Sequence, residues 1–137
     1  MTVAVAHQTS RYSQAVLTEA ARQAAQRGEE LIVISVEKAA DEDHRAALEA
    51  SVGDDLAKAF AAASVADVSW SLDLEAASAE IDDTAETILD AVKRTGATLL
   101  VIGARRRSPM GKALLGSVTQ TLILDSPVPV LVVKAPN

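Results

Sequence analysis

The chain contains no cysteine, and that one absence removes disulfides, thiol nucleophiles and thiolate metal sites. Histidine is nearly as scarce, with only His7 and His44, and aromatic residues make up 2% of the chain. The core must therefore be built from Ala, Val, Leu and Ile, with Tyr12, Phe60 and Trp70 as isolated additions. No run of about 18 apolar residues occurs that would span a bilayer. The opening residues also lack the basic-then-apolar pattern of a secretory leader. These two absences give the expectation of a soluble, cytoplasmic protein with no membrane partner. Positive charge is short as well: 13 basic against 19 acidic residues leave a net charge of −6. Such a surface does not displace counterions from phosphates, so no nucleic-acid partner is expected.

What the sequence does have is alternation. Its 137 residues suffice for one domain, expected over residues 1–137, that buries a core without staples. The short apolar run Val3, Ala4, Val5, Ala6 gives way to His7, Gln8, Thr9 and Ser10, a strand end followed by residues suited to capping a helix. Over residues 11–27, Val16, Leu17, Ala20, Ala21, Ala24 and Ala25 recur at helical spacing, and Gly28 supplies the stop. Residues 31–36 are β-branched without polar alternation, as expected for a strand covered on both faces.

Residues 41–63 predict a second helix, with Gly53 near its middle. Residues 65–74 alternate Val68, Trp70, Leu72 and Leu74 with Asp67, Ser69, Ser71 and Asp73, the pattern of an edge strand. A third helix is predicted over residues 80–94, ending near Gly96. The strongest strand signal is Leu99, Leu100, Val101, Ile102, closed by Gly103. Residues 113–125 read as a fourth helix and residues 128–133 as a last strand, with Pro129 at its start or on an edge. Five strands alternating with four helices predict an α/β three-layer sandwich, a parallel sheet covered on both faces. The order 3-2-1-4-5 reverses its winding between the first and fourth strands, where a ligand crevice is expected beyond the strand C-termini.

The crevice would collect His7 and the segment from Gly103 through Arg105, Arg106 and Arg107 to Gly116, Ser117, Val118 and Thr119. Glycines allow close backbone approach, a helix start near Gly116 offers outward amides, and guanidinium groups match phosphate oxygens. Each residue also has a plainer reading. Gly103 and Gly116 fit turn and packing geometry, the arginines a solvated loop, Ser117 a helix cap, and His7 either a ligand contact or a surface histidine. The acidic clusters at residues 41–43 and 82–83 favour helix N-termini. His44 lies among charged residues without convergent ligands, so no metal site is assigned. No nucleophile elbow or Walker P-loop is present, and no catalytic residue is assigned.

The segment from Gly103 resembles the glycine signature G-x-x-G-x9-G-[ST] of the universal stress protein family. Gly103, Gly116 and Ser117 are in place, followed by Pro129, Val130, Leu131, Val132 and Val133. The resemblance extends over essentially the whole chain. It implies an adenine nucleotide alpha hydrolase-like fold with two helices on each face, and a homodimer paired through the last strand, residues 130–133. It further implies a stress-responsive regulatory protein acting on a protein partner. The nucleotide would be ATP or another adenine nucleotide, with Mg only as its companion, and Val36 would lie beside the adenine. The family admits slow ATP hydrolysis, but no general base for it can be named here.

Two positions depart from the family pattern. Arg106 replaces the second motif glycine, and His7 stands where nucleotide-binding members commonly carry an aspartate near the adenosine. Arg106 either blocks the phosphates or binds them through its own guanidinium. The alternative reading is therefore a dimeric interaction protein that works without nucleotide.

Overall fold

The computed structural model describes residues 1–8, 12–38, 41–77, 83–104 and 116–134. Among them, β1 (Thr2–Ala6), α1 (Ser13–Arg27), β2 (Glu30–Glu37), α2 (Glu42–Ala63), β3 (Trp70–Ala76), α3 (Thr84–Thr95), β4 (Ala97–Ala104), α4 (Ser117–Asp125) and β5 (Val130–Lys134) follow in strict alternation. The strands form one sheet in the order β3-β2-β1-β4-β5. Every neighbouring pair is parallel. Connections between parallel neighbours must recross the sheet, and the helices do this, which is why the sequence alternates as it does.

The continuous apolar strands are explained by burial on both faces. Val3, Val5, Leu31, Val33, Leu99 and Val101 meet α1 and α2 on one side. The intervening Ala4, Ile34, Leu100 and Ile102 meet α3 and α4 on the other. Val3, Ala4 and Val5 are wholly inaccessible, so β1 is the centre of the molecule, paired to β2 on one side and β4 on the other.

Local signals mostly act where the sequence puts them. Gly28 and Gly96 take left-handed conformations at φ 64° and 68° and return their N–H groups to the ends of α1 and α3. Asp41 caps α2, its carboxylate accepting from the His44 N–H at 2.8 Å. Pro129 lies one residue ahead of β5, and its carbonyl accepts from Leu100 N–H at 3.0 Å. Three details differ from expectation. The cap position of α1 is held by Tyr12, while Thr9 and Ser10 lie outside the described residues. Ser117 is the first residue of α4 rather than its cap; extended Gly116 holds that place. The polar face of β3 is also not open to water alone, because Arg94 of α3 reaches Asp73 and Glu75, each at 2.6 Å.

Gly53 stays within α2 despite its poor helix propensity, and its place is explained by Trp70 across the interface. A Cβ at residue 53 would stand 3.4 Å from the indole ring. That is ordinary contact, so a methyl group fits. Leu56, on the same helix, is wholly buried. Two substitutions three residues apart should therefore act in opposite directions. Gly53→Ala is expected to raise unfolding free energy by about 0.5–1 kcal/mol through backbone entropy. Leu56→Ala should lower it by about 2–5 kcal/mol through lost burial and a cavity. Urea denaturation followed by circular dichroism measures both, and a destabilised Gly53→Ala would show that the Trp70 contact is already too tight.

Candidate functional site

In a parallel sheet every strand ends at the same edge, and each following helix begins there. A cavity of about 320 Å³ opens at this edge. Its floor is the ends of β1, β2, β4 and β5, from which Ala6 and His7, Ile34 and Val36, Ile102, Gly103 and Ala104, and Val133 and Lys134 contribute. Its rim includes Tyr12 and Ser13 at the start of α1, Thr84 at the start of α3, and Val118 and Thr119 in the first turn of α4. The winding reversal between β1 and β4 separates α1 from α4 and leaves this space between them.

Helix starts carry unpaired N–H groups and the positive end of the peptide dipoles. Many proteins neutralise them with acidic residues, and α2 does so with Asp41, Glu42 and Asp43. By contrast α1 and α4 have no acidic residue in the first turn. These are two of the helices that open on the cavity. Among its described lining residues there is no carboxylate, and Lys134 adds a cation. In a chain of net charge −6, a described lining with a cation and no carboxylate is a local departure. Its other half is apolar, formed by Ile34, Val36, Ile88, Ile102 and Leu122. The arrangement suits a ligand with one flat apolar part and one anionic part.

His7 follows β1 and is only 8% exposed. Its backbone N–H donates to the Ile34 carbonyl at 2.8 Å, which fixes the residue against β2. Burial holds the imidazole below its ordinary value, and the carboxylates of Asp55 and Glu37 pull against that shift without reversing it. Burial thus favours the neutral ring.

Gly103 has a steric explanation. A Cβ there would come within 2.7 Å of Val16 Cγ2, so the glycine lets α1 lie close against the end of β4. Because Val16 is itself a cavity wall, this packing also shapes the cavity. Gly116 faces no such crowding among the described residues, and its extended backbone, φ −68° and ψ 164°, places no demand for glycine.

Of the positions singled out from sequence, His7, Val36, Gly103, Val118 and Thr119 come together around the cavity. Gly116 and Ser117 stand beside it at the head of α4 without lining it. Arg105 and Arg106 lie outside the described residues. Sequence reasoning passed over Tyr12, Ser13, Thr84 and Lys134. The available signal was topological: each begins a helix or ends a strand at the edge where the crevice was expected.

Comparison with known proteins agrees with this architecture. The model of the universal stress protein family matches residues 1–134. A universal stress protein of Mycolicibacterium smegmatis is 56% identical over 52 residues, a stretch covering 38% of this chain and 40% of that protein. The chain thus matches less than half the length of that curated relative. Among solved structures, a universal stress protein from Archaeoglobus fulgidus superposes with a TM-score of 0.74 at 28% identity, covering 96% of this chain and 97% of its own. The fold is shared at 24% identity by two nucleotide complexes. One is a universal stress protein with cAMP, with a TM-score of 0.70 and coverage of 98% and 97%. The other is a universal stress protein from A. fulgidus with dAMP, with a TM-score of 0.68 and coverage of 96% of each chain. A family match running nearly end to end, on a sheet of the same winding, identifies the chain as a member of the universal stress protein family.

Proposed function

We propose that the chain is a stress-responsive regulatory homodimer that binds an adenine nucleotide at the cavity between β1 and β4. The observation that carries this reading is the pairing of two acid-free helix starts, α1 and α4, with a cavity that has no described carboxylate and one apolar wall. A purine ring fits the wall of Ile34, Val36 and Ile88, and a phosphate fits the amides at the head of α4 beside Thr119. The dAMP and cAMP complexes of proteins with this fold support the same choice. In this reading the ligand is ATP or another adenine nucleotide, with Mg only as its companion. Occupancy regulates a partner protein only if the nucleotide binds two conformations unequally.

The homodimer would pair through β5, and the two sheet edges differ in a way that supports this. On β3, Ser69 O and Ala77 N bond to β2, so alternate residues such as Leu72 point their carbonyls outward. That Leu72 carbonyl is occupied by the Arg45 guanidinium of α2 at 3.0 Å, which obstructs strand addition. On β5, Pro129 O bonds to β4, which turns the backbone groups of Val130 and Val132 outward. Among the described residues nothing pairs with them. The helix leading into this strand also carries Leu124, 80% exposed.

Two experiments test the reading. Calorimetric titration with AMP should show one site per chain, and Gly103→Ala should weaken AMP binding by about tenfold or more, because displacing Val16 reshapes the cavity wall. No heat at millimolar AMP would favour the nucleotide-independent interaction protein. For the dimer, Val132→Pro removes an outward N–H without touching the β4 ladder. Light scattering coupled to size exclusion is expected to give a dimer mass for the wild type and a monomer mass for this folded variant. A monomeric wild type would overturn the β5 interface.

A further inference from the structure

Among the described residues, His7 is the one ionisable side chain that is almost fully buried and yet borders the cavity. No hydrogen bond joins this imidazole to another described residue, and its nitrogens are not closed off from the cavity. Its own backbone is already satisfied by Ile34. The ring therefore has unused donor and acceptor capacity at the edge of a space that otherwise favours anions.

The surroundings decide how that capacity is used. From β2 the residue is faced by Glu37 and from α2 by Asp55, both of which favour a positive imidazole. From α1 come Tyr12 and the helix start, and from β5 comes Lys134, a cation. From β4, Gly103 and Ala104 add no charge; α4 offers Thr119 and its own helix start; and α3 offers Thr84 beside the cap residue Asp83. Burial outweighs the two carboxylates and favours the uncharged ring in the empty site. An anion placed in the cavity favours the charged imidazole and offers an acceptor to its second N–H.

We infer that His7 takes up a proton when an anionic ligand enters the cavity, so that it is the site's proton-linked contact and ligand affinity increases as pH falls. This rests on the adenine-nucleotide reading and adds to it a residue role and a regulation by pH. The sign follows from linkage: the liganded state binds more protons than the empty one, so acid favours the complex. One proton limits the effect to a factor of about ten per pH unit.

The probe is cAMP, whose phosphodiester keeps a single charge across the neutral range, so the ligand itself contributes no proton. Titration calorimetry in two buffers of different ionisation enthalpy counts the protons exchanged. The wild type should take up a fraction of a proton at pH 7 and bind cAMP about tenfold more tightly at pH 6 than at pH 8. His7→Gln, which keeps neutral hydrogen-bonding groups, should bind without proton uptake and with affinity independent of pH. Circular dichroism confirms that the variant is folded. Binding by the wild type with no proton uptake, or a pH dependence retained in His7→Gln, overturns this inference alone. Failure of cAMP to bind at either pH overturns the nucleotide reading and this inference with it.

Discussion

All five strands run in one direction, and most of what distinguishes this molecule follows from that constraint. A chain that must return to the start of the sheet after each strand does so by helix, and each helix then begins at the edge where the strands end. Helix starts are electropositive, so one edge of the sheet accumulates positive potential without requiring basic residues. The chain's composition sharpens the effect. Acidic residues cap α2 but are missing from the first turns of α1 and α4. Where those two helices part, at the β1/β4 reversal, their starts face a common cavity.

The same constraint explains how the core and the site share residues. Ile34 and Ile102 pack between sheet and helices and also wall the cavity. Val16 belongs to the core and to the cavity at once, and its position depends on the missing side chain of Gly103. The site is thus an opening in the packing rather than an attachment to it. A change that displaces Val16 of α1 from β4 therefore also changes the cavity wall.

The fold was legible because its signals are periodic. Unbroken apolar strands announced burial on both faces, and the alternation of Trp70, Leu72 and Leu74 with polar residues announced an edge. Glycines at residues 28 and 96 announced helix ends with the left-handed geometry they adopt. The site was legible in part. His7, Val36, Gly103, Val118 and Thr119 gather as the winding reversal requires, while Ser13, Thr84 and Lys134 carry no motif and are placed only by three-dimensional convergence. The role of Gly103 was likewise ambiguous in sequence, since a phosphate-approach glycine and a packing glycine look alike until Val16 is seen 2.7 Å from its missing Cβ. Arg45 on the Leu72 carbonyl had no sequence signal, because it joins a helix to an edge strand 27 residues away.

In the proposed function, the C-terminal edge of the sheet, between α1 and α4, is the face that accepts the anion. Amide chemical-shift mapping during titration with AMP locates the ligand. Shifts are expected to concentrate at His7, Ser13, Gly103, Val118 and Thr119, with Glu29, Gly96 and Ala97 at the opposite edge unmoved. Shifts confined to that opposite edge, or spread without focus over the surface, would contradict it.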